Sequence, residues 1–157
     1  MTTFKSEMLT FLGAVKNLRQ RTHSTTVIAS AAIMDTQLEK CLKKAMRPMP
    51  QTMYKEIFGS MRPLGSLASK ITMTYALRIV EKEVYAQFEL MRNIRNAFAH
   101  STESLHLGSP EIAPLLERLK ASVKPQRKDP AEQYMECIVQ IDQVLENYLG
   151  LDLTVSG

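Results

Sequence analysis

Apolar side chains recur three and four residues apart along almost the whole chain, and strict alternation never appears. A period near 3.6 places such residues on one side of a helix, whereas a half-buried strand needs a period of two. The chain must therefore fold as an all-α protein. With 45% hydrophobic residues among 157, it can bury a core large enough to offset chain entropy, which excludes a disordered polymer. Ten methionines and no tryptophan suit a helical core packed with flexible thioethers.

The punctuation then divides the chain. A first helix is expected over roughly Thr3–Arg21, with Phe4, Met8, Phe11, Leu12, Val15 and Leu18 on one side. A second is expected after His23, where Ser24, Thr25 and Thr26 offer N-caps. Its stripe Val27, Ala31, Met34, Leu38, Cys41, Ala45 forms a seam for another helix. Arg47-Pro48-Met49-Pro50 ends it. A short helix is predicted over Thr52–Phe58, and a longer one over Leu67–Val80 with Ser66 as cap. Glu81–His100 follows, then a loop over Thr102–Ser109. Pro110 should open a helix ending near Ser122. Asp129 and Pro130 launch the last helix, with stripe Tyr134, Ile138, Ile141, Leu145, Tyr148 and Gly150 as its stop. Long helices with short connections predict one antiparallel bundle of about six to seven helices, spanning 1–157 as a single domain.

Several classes are excluded or disfavoured. No charge-free apolar run is long enough to cross a bilayer, and Glu7 interrupts the apolar N-terminal stretch, making it a poor signal peptide. A cytoplasmic protein is expected. Cys41 and Cys137 both sit in apolar helical patterns, so reduced core thiols are expected, with no structural zinc pattern and no metal or cofactor. GSMRPLG lacks the ending of a Walker motif, and no helix-turn-helix is evident. The net charge of +4 and pI of about 9.1 permit a polyanionic partner without requiring one.

Chemistry concentrates in Glu81–His100. On a helical wheel Val84, Phe88, Leu90, Met91, Ile94, Ala97 and Phe98 fill one half, and Glu89, Arg92, Asn93, Asn96 and His100 the other. Arg95 falls on the rim of the apolar arc. A guanidinium cannot shed its charge, so it must either meet a carboxylate, with Glu39, Asp142 and Glu146 as candidates, or await an anion. The bland alternative for His100 is a cap on the end of its helix, where a donor meets free carbonyls. Arg95 and His100, five apart, converge on one ligand only if the helix frays near Ala99 or a second copy completes the site.

The run Arg95-Asn96-Ala97-Phe98-Ala99-His100 resembles the R-x4-H signature of the HEPN superfamily. Upstream, Pro63-Leu64-Gly65-Ser66-Leu67-Ala68-Ser69-Lys70-Ile71 and Tyr75-Ala76-Leu77 are similar to the mannitol operon repressor (MltR-like) family, as is their spacing to Arg92-Asn93-Ile94-Arg95-Asn96. These stretches cover about residues 62–105. The resemblance implies a HEPN-like bundle, a homodimer, and in catalytic members metal-independent RNA cleavage. Arg95, Asn96 and His100 would then be the catalytic residues, with two motifs facing one cleft. Within the matched segments Arg92 and Lys70 are the candidate substrate-binding cations. The same resemblance leaves open a non-catalytic transcriptional regulator acting through protein contacts, or a toxin held by an antitoxin.

Other features read more simply. Lys40, Lys43, Lys44 and Arg47 suit a helix C-terminus, and Lys120, Lys124, Arg127 and Lys128 a solvated loop, although both could track a nucleic-acid backbone. His23 and His106 are expected to cap or to face solvent. Tyr75 and Tyr85 could stack a base, but tyrosines at helical spacing usually belong to a core.

Overall fold

The computed structural model describes residues 2–150, and the side chains of residues 2–5, 8, 13, 15–17, 19 and 20 lie outside that description. All regular structure among the described residues is helical, in six elements: α1 (Thr2–Ala45), α2 (Gln51–Phe58), α3 (Leu67–Ala76), α4 (Lys82–His100), α5 (Ala113–Val123) and α6 (Pro130–Leu149).

The two helices expected before residue 46 are one. α1 runs unbroken for 44 residues. No N-cap forms at Ser24, Thr25 or Thr26, because the backbone stays helical through them, and neighbouring hydroxyls bond back into the helix. Thr22 Oγ1 donates to the Leu18 carbonyl at 2.8 Å, and Ser30 Oγ to the Val27 carbonyl at 3.0 Å. The predicted seam is buried at Val27, Ala31, Met34, Leu38 and Cys41, while Ala45 stays exposed. The expected N-terminal stripe behaves differently. Phe11, Leu12 and Leu18 are exposed, as is Leu9, at 55–63%. Phe4, Met8 and Val15 fall outside the described side chains.

α3 stops four residues before the predicted Val80. Its end is a Schellman motif: Arg78 N–H donates to the Tyr75 carbonyl at 3.0 Å and Ile79 N–H to the Thr74 carbonyl at 2.9 Å. The left-handed position that normally takes glycine holds Arg78, at φ 62°. α5 begins at Ala113, because Pro110 sits in a preceding turn closed by Ile112 N–H and Ala113 N–H on the Ser109 carbonyl, and Pro114 takes the first-turn place instead. Other boundaries agree with expectation. Ser66 accepts from Ser69 N–H, Asp129 caps α6 through Ala131 and Glu132 N–H, and Gly150 closes α6 at φ 73°. Gly65 is required by crowding, since a Cβ there would lie 2.3 Å from the Gly59 carbonyl oxygen.

The α3–α4 connection is a hairpin with Tyr75 against Tyr85, and Gln87 near the start of α4 reaches Ser122 at the end of α5, so these consecutive helices run antiparallel. α1 and α6 are separated by four elements and escape that constraint. Gln37 donates to Asp142 and Glu146, Cys41 Sγ to the Leu145 carbonyl, and Lys44 to the Tyr148 carbonyl, a register in which both helices point the same way. Between them and α4 lies the core, centred on Met34, Leu38, Phe88, Ile94, Tyr134 and Ile141. Cys41 and Cys137 are free and buried, and burial pushes each thiol up to about 11, as expected for inert core cysteines.

Candidate functional site

The amphipathic division of α4 is the one its sequence dictates. Phe88, Leu90, Met91, Ile94 and Phe98 are buried, Val84 and Ala97 are half-buried, and Asn93 and His100 are exposed. Arg95 is half-buried, as its rim position requires, and its Nη1 donates to Asn96 Oδ1 at 3.0 Å. No carboxylate among the described residues pairs with it. The three acids that could have done so are engaged elsewhere. Glu39 pairs with Lys43 at 3.2 Å and approaches Lys70 at 3.9 Å, and Asp142 and Glu146 accept from Gln37. The Asp142 carboxyl is raised above its usual range by burial, with the Gln37 amide partly offsetting this.

His100 is the last residue of α4, and Ser101 follows in extended backbone. The helix does not fray at Ala99. Five residues of α-helix separate Arg95 and His100 by about 7.5 Å of rise and roughly 140° of rotation. Along one chain the helix therefore directs the two side chains apart, and the frayed turn that could have brought them together is absent.

Arg92 lies on the polar side, its Nη2 bonded to Glu89 at 2.7 Å, which raises the guanidinium pKa further. Its Nε is buried without a hydrogen-bond partner among the described residues. Lys70 requires a correction. It is 3% exposed and its ammonium bonds Asp35 at 2.8 Å, with Glu39 beyond. The lysine clasps α3 to α1, and its buried ammonium is taken up by the acids of α1 instead of facing a substrate.

Nothing in the residue pattern signals what surrounds the end of α4. A cavity of about 390 Å³ opens there, lined by Arg21 and Ser24 of α1, Phe98 of α4, and Ser101, Glu103, Ser104 and Leu105. Its loop is fastened to α1 by His23, whose Nδ1 accepts Leu107 N–H at 3.1 Å, with the His106 ring 6.4 Å away. His106 in turn accepts Gly108 N–H through its own Nδ1 at 3.1 Å. Neither histidine is a simple cap or solvent-facing residue. Burial lowers the His23 pKa, partly countered by Asp129 and reinforced by His106.

Of the basic stretches, Lys43 lies over the Tyr54 and Phe58 rings at 5.1 and 5.4 Å, and Lys44 over the Tyr148 ring at 4.8 Å. Lys120 pairs with Glu117 at 2.9 Å, while Lys124, Arg127 and Lys128 are exposed. Among the described residues no three His, Cys, Asp or Glu side chains cluster as a metal site would require, and no helix is long and apolar enough to cross a membrane. Compared with known proteins, the chain matches no family model, no curated protein and no solved structure.

Proposed function

We propose that this chain is a HEPN-type, metal-independent endoribonuclease of the cytoplasm, with a composite site formed between two copies. The observation that carries the reading is Arg95: a half-buried arginine beside the core, its guanidinium held by Asn96, with no carboxylate partner among the described residues. A cation left in that state is poised for an anion. Asn96 acts as a positioning residue, since its carbonyl oxygen steers the guanidinium while its amide hydrogens remain for a phosphate oxygen.

The chemistry needs little else. RNA carries its own nucleophile, the 2′-hydroxyl. Attack on the adjacent phosphorus forms a cyclic phosphate and expels the 5′-oxygen. The imidazole of His100 moves a proton to or from these oxygens, and Arg95 presents a fixed fork of donors to the phosphorane. Because Arg95 and His100 diverge on one helix, the imidazole serving a given phosphate comes from the second copy. Arg92 adds a cation to the same face of α4.

The test is incubation of purified protein with structured and unstructured RNA in chelator, beside Arg95→Ala and His100→Ala. Cyclic-phosphate products that vanish in both variants are expected. Equal cleavage by the wild type and both variants would sink the assignment.

A second reading, an MltR-like regulator acting through protein contacts, draws on one observation. Ile57, Pro63, Leu64, Met73 and Ala76 line an apolar groove of about 740 Å³ beside α3, suited to a partner helix, which could equally be an antitoxin. Absence of cleavage, together with co-purification of a partner released by Met73→Glu, would favour that reading.

A further inference from the structure

Tyr75 and Tyr85 stack with ring centroids 4.9 Å apart and planes 30° from parallel. Tyr75 is not core: it is 42% exposed, so the ring face not covered by Tyr85 is open to a ligand. A cavity of about 540 Å³ adjoins it, lined by Tyr75, Ala76, Arg78, Val80 and Glu81. Its one cation, Arg78, occupies the left-handed turn position at φ 62°, where any side chain costs energy that glycine would not. Backbone strain borne by a charged residue at the rim of a pocket points to use of that side chain.

The pocket also lies in line with the proposed catalytic residues. Tyr85, Arg92 and Asn96 fall within roughly 40° of one another around α4, a single stripe along the helix. From Tyr85 to His100 the helix climbs about 22 Å. The stripe carries an aromatic platform at one end, Arg92 in the middle and Asn96 at the other, with Arg95 and His100 flanking it at roughly 80° and 60° on opposite sides.

We infer that Tyr75, stacked on Tyr85 and flanked by Arg78, is a base-stacking subsite that holds single-stranded RNA upstream or downstream of the phosphate cleaved at the other end of α4. The inference rests on the ribonuclease reading and names its substrate class. An aromatic face followed by guanidinium groups suits a single strand, whose bases are splayed and whose phosphates follow the helix. A duplex hides its base faces and cannot offer one to Tyr75. Glu81 and Glu89 on the same side temper the cationic field, so stacking and not bulk charge supplies most of the grip there.

The experiment separates binding from cleavage. A mixed-sequence 2′-O-methyl RNA of about eight residues, uncleavable and carrying 2-aminopurine, is titrated into the full chain while anisotropy and fluorescence are read. The wild type should bind and quench the probe, and the same sequence as a duplex should compete poorly. Tyr75→Ala should weaken binding about ten-fold and abolish quenching, while Tyr75→Phe retains both. Arg78→Gly should weaken binding yet raise Tm, an opposition that a purely structural arginine would not produce. Wild-type affinity in Tyr75→Ala, or no binding by the wild type, overturns the subsite. Tyr75-dependent binding without cleavage of a matching unmodified RNA keeps the subsite and removes the ribonuclease. Cleavage that depends on Arg95 and His100 but not on Tyr75 does the reverse.

Discussion

His23 accepts the Leu107 amide hydrogen through Nδ1, so the bond exists only while that nitrogen is unprotonated. Burial lowers its pKa in the folded state. A base with a depressed folded pKa leaves the unfolded chain binding more protons in between. Its stabilising contribution is therefore complete above the free-imidazole value of about 6.5 and is lost as pH falls from there through the folded value. Urea midpoints should drop between neutral and mildly acidic pH, and His23→Gln should flatten that part of the profile. An unchanged slope in the variant would assign the acid sensitivity to another group. At Lys70 the expectation is a loss of stability. Lys70→Ala strips Asp35 of its partner and should cost about 2–3 kcal/mol by urea unfolding, with Lys70→Met losing less because it refills the volume. The acid partner is 39% exposed, which keeps the cost at the lower end for broken buried pairs. RNA binding by a folded Lys70→Met protein should be unaltered, since the ammonium faces Asp35.

Helix ends show what a sequence can and cannot announce. Ser66, Asp129 and Gly150 declare their roles because a side-chain oxygen before a helix, or a glycine after it, has one dominant use. The unity of α1 was not legible, because a Ser-Thr-Thr cluster can cap a new helix or bond back into an existing one, and the choice depends on what Val27 and Met34 pack against. The end of α3 was hidden for the opposite reason: the turn uses an arginine where the pattern leads one to look for glycine. Arg78→Gly should accordingly stabilise the protein by about 1 kcal/mol, read as a raised midpoint in thermal or urea unfolding. A destabilised variant would mean that the Arg78 side chain makes contacts that outweigh its backbone strain.

For the whole molecule, the helical class and the amphipathic side of α4 were legible because both follow from period alone. The setting of the site was not. That Arg21 and His23 lie beside the end of α4 depends on the length of α1 and on the loop closing against it, contacts between residues more than eighty positions apart. α1 also carries, among its described side chains, a set of exposed apolar residues near its start. Leu9, Phe11, Leu12 and Leu18 face water on a helix that, at about 66 Å, is twice the length of α6. Exposed apolar groups gathered on one segment drive association. Sedimentation should show self-association that weakens on Leu12→Glu/Leu18→Glu, with helix content retained by circular dichroism. A variant that sediments as the wild type does would place the contact between copies elsewhere.

The unbroken final turn of α4 has a kinetic corollary. If a guanidinium and an imidazole on the same rigid rod point apart, turnover by the proposed nuclease is second order in polypeptide at low dose. Turnover per molecule should then decline on dilution and recover on concentration, and mixing Arg95→Ala with His100→Ala should restore part of what each lost alone. Abundance itself would act as the throttle, with no inhibitor required to keep a scarce chain silent.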